Sequence, residues 1–119
     1  MKTKILVIVL FTAQFSFAQN NGLTAEQIAT YQNNMMTEEL DLTENQIDKV
    51  STINMKYSEK QKALMEEEGS MFGKIGRMKD IKKDKDAELE DVLTEAQFEK
   101  YKDDVEPKIR SYMRKNMKK

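Results

Sequence analysis

Leu42-Thr43-Glu44-Asn45-Gln46 and Leu93-Thr94-Glu95-Ala96-Gln97 are the two stretches that decide the fold, and both read LTxxQ. In this pattern the Thr side chain accepts a hydrogen bond from the backbone N–H three residues on, and the Gln side chain reaches back to the N–H of the Thr. The leucine and the apolar residue after the Gln, Ile47 or Phe98, form the hydrophobic staple that often accompanies such a cap. Each stretch therefore predicts the start of an α-helix.

A third copy of the pattern precedes these two. Leu23-Thr24-Ala25-Glu26-Gln27 is followed by Ile28, so it also combines a capping box with a staple. Each copy places a glutamate in the first helical turn, where the helix dipole favours negative charge. The sequence therefore predicts three capped helix starts, built on Leu23, Thr24 and Gln27, on Leu42, Thr43 and Gln46, and on Leu93, Thr94 and Gln97.

Apolar residues recur at a spacing of three to four after each cap, which is the helical period. Gly69-Ser70 interrupts the second stripe, so a further helix is expected from about Ser70 or Lys74. The charged stretch 82–88 of this further helix is interpreted as solvated surface. The last helix is expected to kink or restart at Pro107, because proline lacks an N–H and disfavours helix at the preceding residue. No stretch alternates with period two. We expect an all-α fold, an elongated antiparallel helical hairpin of three to four helices without strands.

Composition excludes several functional classes. The chain has 119 residues, enough for one domain, and it contains neither cysteine nor histidine. Thiolate nucleophiles, Cys-ligated metal sites and the commonest general base are therefore missing. A formal net charge of −1 gives no case for nucleic acid, which requires a strongly basic face. No catalytic pair or phosphate loop is evident, so we expect neither an enzyme nor a cofactor.

The first residues have the layout of a secretory signal peptide. Lys2 and Lys4 precede an apolar run over 5–17, and the small residues Ser16 and Ala18 precede the cleavage point. A membrane anchor needs roughly 20 apolar residues, which this run does not reach. We predict a leader over 1–18 and a mature single domain over 19–119 that is exported, soluble and without a lipid anchor.

Few leucine, isoleucine, valine and phenylalanine residues remain after this leader. A chain with so few apolar residues is expected to leave the apolar stripe of its long second helix exposed to solvent unless two copies pair. The chain is therefore predicted to form a symmetric homodimer. The expected shared surface follows the second helix, and Ile47, Val50, Ile53 and Tyr57 are expected near or under it.

The segment from Met65 to Lys85 is the candidate binding surface, because soft apolar side chains alternate there with cations. Methionine adapts to varied partners through its flexible, polarizable thioether. The alternatives are that these residues are buried in a helical turn, or that methionines, including Met113 and Met117, bind Cu(I). The candidate residues of this surface for binding client proteins are Met65, Met71, Phe72, Lys74, Ile75, Arg77, Met78 and Lys79.

These features resemble the Spy/CpxP family of periplasmic proteins, whose two motifs correspond to Leu42-Thr43-Gln46 and Leu93-Thr94-Gln97. The resemblance covers residues 40–102. It implies a helical hairpin that dimerises into a curved cradle. It also implies an ATP-independent chaperone of envelope proteins, although one relative inhibits an envelope-stress sensor kinase and another branch binds zinc. The short span between the motifs implies a shallower cradle here, and a histidine-based zinc site is not carried over.

We therefore expect a chaperone-like protein whose partners are unfolded or partly folded envelope proteins. Two alternatives stay open. The first is a regulatory module that contacts a sensor or an anionic membrane surface through the basic tail, which begins at about residue 107. The second is a secreted helical protein with no client.

Overall fold

A computed structural model describes residues 23–117 of the chain, and the predicted signal peptide lies outside these residues. The described part is helical and contains no strand, which confirms the all-α prediction. Its elements are α1 (Ala25–Leu40), α2 (Glu44–Glu66), α3 (Met71–Val92), α4 (Glu95–Lys100), a π-helical turn (Tyr101–Val105) and α5 (Glu106–Met117).

All three predicted helix starts are confirmed. Thr24, Thr43 and Thr94 are the N-caps of α1, α2 and α4, and each makes both hydrogen bonds of the capping box. α3 begins with a simpler cap, in which the Ser70 hydroxyl accepts a hydrogen bond from the N–H of Gly73 at 3.2 Å. Local side-chain chemistry therefore sets where each of these helices begins.

Of the kink or restart expected at Pro107, the restart is wrong, because the helix continues through this residue. Proline has no N–H and its ring collides with the carbonyl four residues earlier in a regular α-helix. The π turn widens the backbone just before this point, and the N–H of Glu106 bonds to the carbonyl of Tyr101. α4, the π turn and α5 consequently form one continuous C-terminal rod.

The four rods pack up and down beside one another. α1 lies against α2 and α2 against α3, and each pair is antiparallel because a short connection joins it. The C-terminal rod closes the bundle against α1 and α3. The Tyr112 ring stacks on that of Tyr31 with centroids 3.7 Å apart, and Lys82 of α3 pairs with Glu106 at 3.0 Å.

The apolar core lies toward the end of the bundle where the motifs that begin α2 and α4 meet, which we call the closed end. Val50, Ile53 and Tyr57 are buried in this core and Ile47 packs against it, so these side chains are covered within a single copy of the chain. The homodimer itself stays a prediction. The buried members of the core are Met36, Leu40, Leu42, Val50, Ile53, Tyr57, Leu89, Leu93, Tyr101, Val105 and Ile109.

Candidate functional site

Two of the three motifs meet at the closed end and share their glutamine side chains. Gln46 Nε2 donates to the carbonyl of Val92 at 3.1 Å and to Gln97 Oε1 at 2.7 Å. In return, Gln97 Nε2 donates to the carbonyl of Leu40 at 3.1 Å and to Gln46 Oε1 at 3.3 Å. Each glutamine therefore caps the start of its own helix and the end of a helix in the other hairpin. We call this arrangement the cap junction.

The cap junction uses the full hydrogen-bonding capacity of both amides. Each Oε1 also accepts from the N–H of its own motif Thr, at 3.0 Å for Thr43 and 2.9 Å for Thr94. A primary amide has two donor hydrogens and two acceptor lone pairs, and all are engaged here. A carboxylate accepts but does not donate, so only glutamine fits both tasks. The described contacts of Gln27 are different, since its side chain bonds only to Thr24.

The opposite end of the bundle is open. A groove of about 560 Å³ runs between α1, the C-terminal half of α2, residues 75–85 of α3, Tyr101 of the π turn and α5. Its volume falls within the range of roughly 300–1,000 Å³ that is typical of small-molecule sites. The apolar walls are formed by Ile28, Met65, Ile75, Met78, Ile109 and Met113.

Cations dominate the charged part of the lining. Glu106 is the acidic residue of the described lining, and its carboxylate is already paired with Lys82 at 3.0 Å and Lys102 at 3.3 Å. The groove therefore offers a positive potential to whatever enters it. The lining cations are Lys62, Lys79, Lys82, Lys85, Arg110 and Arg114.

Lys85 is the buried cation of the groove. Its Nζ donates to Gln32 Oε1 at 2.8 Å, and the residue is only 5% exposed. Burial lowers the pKa of this amine to about 8, although Asp86 and Glu106 act in the opposite direction. The interpretation of 82–88 as a solvated stretch is therefore wrong at its centre.

The predicted binding segment divides into three parts in the structure. Met65, Ile75, Met78 and Lys79 line the groove. Met71 and Phe72 lie beside it at the start of α3, where they are 56% and 83% exposed, and Ile75 is 48% exposed. These three side chains form a surface that we call the apolar tip. The alternative that every apolar residue of this segment is buried is wrong.

The two remaining members of the segment stabilise the turn between α2 and α3. Lys74 is buried, and its ammonium donates to the carbonyls of Met65, at 3.0 Å, and of Glu67. These carbonyls lie at the end of α2, so Lys74 acts as a C-terminal cap rather than as an exposed charge. Arg77 makes two hydrogen bonds of 3.0 Å to the carboxylate of Glu67.

Sequence reasoning missed Gln32 and Gln61, and it placed Lys85 at the end of the candidate segment without predicting its burial. A signal was present, because Lys85 lies four residues from both Ile81 and Leu89 and so shares the apolar face of α3. Gln61 adds a buried Oε1 that has no hydrogen-bond partner among the described residues. Within residues 23–117, no group of three or more acidic side chains is placed to hold a metal ion.

The described residues thus define the class of protein, a small four-rod helical bundle with a capped closed end and a cationic groove at its open end. Residues 13–101 match the family described as a domain of unknown function, DUF4890, and the chain belongs to this family. No curated protein and no solved structure matches the chain. None of the described helices is long and apolar enough to cross a membrane.

Proposed function

We propose that this protein is an exported, ATP-independent chaperone-like protein of the periplasm, which binds unfolded or stressed envelope proteins and limits their aggregation. The observation that carries the proposal is the apolar tip, where Met71, Phe72 and Ile75 are exposed together. Contiguous exposed apolar side chains cost solubility and typically mark an interaction surface. The resemblance of the LTxxQ motifs to those of the Spy/CpxP family supports the same function.

The surroundings of the apolar tip suit a binder of varied clients. Met65 and Met78 continue the apolar surface into the groove, and flexible methionine side chains can repack around different partners. Lys79, Arg110 and Arg114 are exposed and make no ion pair within the described residues. Such charges accelerate the encounter with an acidic client, while apolar contact sets how long it stays.

The test is aggregation of reduced α-lactalbumin, followed by light scattering without nucleotide at a near-stoichiometric ratio of mature protein. The double variant Met71→Ser/Phe72→Ser should need at least tenfold more protein, because burying two large apolar side chains is worth about 3 kcal/mol or more. Its stability should stay within about 0.5 kcal/mol of wild type, since both side chains are exposed. Met55→Ser is the matched control, a methionine of α2 that is half-buried and outside the groove.

Two outcomes would contradict the proposal. One is a wild-type protein that does not reduce scattering. The other is a folded double variant as active as Met55→Ser, which would remove the apolar tip from the binding surface.

A regulatory role is the second candidate, favoured by the exposed basic residues Arg110, Arg114 and Lys115 of α5. A sensor complex or a membrane contact formed through them should weaken as salt rises, since exposed charges are screened beyond about 8–10 Å at physiological ionic strength. Replacing the three with Gln should abolish such binding. The anti-aggregation activity of the apolar tip should persist, with a slower encounter because two of the cations beside it are removed. The homodimer is proposed alongside, and a monomer by sedimentation at micromolar concentration would exclude it.

A further inference from the structure

The inner wall of the groove carries a cation without a counter-ion. Within the described residues, the Lys85 ammonium makes one hydrogen bond, to the neutral Gln32, and no ion pair. The nearest acidic residues form ion pairs with other lysines. The carboxylate of Asp86 pairs with Lys102 at 2.6 Å and with Lys82 at 3.3 Å, and that of Glu106 pairs with the same two lysines. An ammonium has three N–H donors, so two remain available at this wall.

A buried charge in this situation is costly to the free protein. Removing an ion from water without pairing it is one of the larger penalties in folding. An anion that reached Lys85 would recover part of this penalty, and the surrounding low dielectric would strengthen the attraction. The buried end of the groove is therefore chemically complementary to a negatively charged group.

Apart from its five other lining cations, the rest of the groove is complementary to hydrocarbon. Ten residues of α3 separate Lys85 from Ile75, a distance of about 15 Å at the rise of an α-helix. Along this path the wall includes Met78, and the opposite walls contribute Met65 and Met113. The groove thus combines one buried cationic end with an apolar channel that leads to the apolar tip.

We propose that the groove binds a free long-chain carboxylate, whose headgroup pairs with Lys85 while its hydrocarbon chain lies along the methionine and isoleucine walls toward Ile75. The small headgroup is part of the argument, because Lys85 is 5% exposed and a phospholipid headgroup is too bulky to reach it. A peptide is a poorer fit, since its backbone N–H and C=O groups need partners that the apolar walls do not supply. This inference goes beyond the chaperone proposal and does not depend on it.

Titration calorimetry with decanoate, decanol and decyltrimethylammonium separates the headgroup from the chain. Decanoate should bind at least tenfold more tightly than decanol, and the cation should not bind measurably. Equal affinity for decanoate and decanol would overturn the assignment of the headgroup to a buried cation. Preferential binding of the cation would overturn the proposal altogether.

Two substitutions locate the headgroup. Lys85→Met keeps an unbranched side chain of nearly the same length and removes the charged amine. It should lower decanoate affinity at least tenfold while leaving decanol affinity unchanged. The fold should survive, because replacing a buried charge by an apolar side chain of similar size is often neutral or stabilising. Lys83→Met is the matched control, since it removes an exposed charge two residues away and should change neither affinity. Unchanged decanoate binding by folded Lys85→Met would refute the pairing.

A third variant tests the path of the chain. Met78→Trp should fill the channel and abolish the binding of decanoate and decanol together, with helicity checked by circular dichroism. Retention of both ligands by this variant would contradict the proposed channel. The result is separable from the chaperone test, because Met71→Ser/Phe72→Ser lies outside the groove lining and should bind decanoate like wild type. Displacement of decanoate by an acidic peptide that binds more tightly would reassign the groove to protein clients.

Discussion

Gln97→Glu is the substitution that isolates the cap junction from the capping box. A glutamate at this position can still accept the N–H of Thr94, which the wild-type side chain accepts at 2.9 Å. It cannot donate to the carbonyl of Leu40, now 3.1 Å from Nε2, or to Gln46 Oε1 at 3.3 Å. The local helix start is therefore preserved, while the link between the two hairpins is broken.

The expected loss can be worked from these contacts. Two hydrogen bonds at about 0.5–1.5 kcal/mol each are lost, and a part-buried carbonyl at the end of α1 is left without its partner. The new negative charge lies close to that helix C-terminus, where the dipole disfavours it, and in the first turn of α4, where the dipole favours it. The donation from Gln46 Nε2, at 2.7 Å, becomes charge-assisted and offsets part of the cost. We expect the free energy of unfolding to fall by about 1–3 kcal/mol, and the melting temperature by about 4–8 °C per kcal/mol.

Urea unfolding followed by far-UV circular dichroism measures this change, with Gln27→Glu as the matched control. Gln27 closes the same capping box on α1 and has no cross-hairpin bond among the described residues. Its substitution should shift stability by no more than about 0.5 kcal/mol. Equal shifts for the two variants would refute the cap junction as a tertiary contact. A Gln97→Glu protein as stable as wild type would refute it as well.

Two further predictions concern stability. Thr43→Ala and Thr94→Ala should each lower the free energy of unfolding by about 0.5–2 kcal/mol while far-UV helicity stays high, and unchanged melting midpoints would contradict the capping account. Because burial holds the pKa of Lys85 at about 8 against 10.5 in the unfolded chain, the unfolded state binds more protons between these values, so stability should rise by on the order of 2 kcal/mol from pH 7.5 to 10. It should fall above about pH 10, since burial raises the pKa of Tyr101 and only the unfolded tyrosine ionises there. Urea unfolding of Lys85→Met across this range should lack the rise, and a rise as large as in wild type would assign it to another group.

Local chemistry explains why the helix starts were predictable. A capping box is complete within four residues. The helix starts at Thr24, Thr43 and Thr94 can therefore be predicted from the local sequence alone. The tertiary use of the same glutamines was not predictable in this way. Glutamate and glutamine serve a capping box equally well. At positions 46 and 97 only the hydrogen bonds between the hairpins require glutamine rather than glutamate, and these bonds join residues far apart in sequence.

The binding surface at the open end was predicted in part, because composition indicates residue types but not which of them tertiary contacts bury. Composition indicated a soft apolar and basic segment, and the structure exposes Met71 and Phe72 there. Lys74 and Lys85 are buried although both are charged. Backbone carbonyls accept the hydrogen bonds of Lys74, and the side-chain amide of Gln32 accepts that of Lys85. Charge runs favour solvated surface on average, so only the position of Lys85 on an apolar stripe argued otherwise.

Methyl NMR of the methionine side chains tests most directly whether the open end is where this protein binds its clients. The methionines report on both ends of the bundle, since Met65 and Met78 line the groove, Met71 belongs to the apolar tip, and Met36 lies in the closed-end core. Addition of reduced α-lactalbumin should shift or broaden the methyl signals of Met71, Met65 and Met78 and leave those of Met36 and Met55 unchanged. Perturbation confined to Met55, or no perturbation at a concentration that suppresses aggregation, would contradict the account.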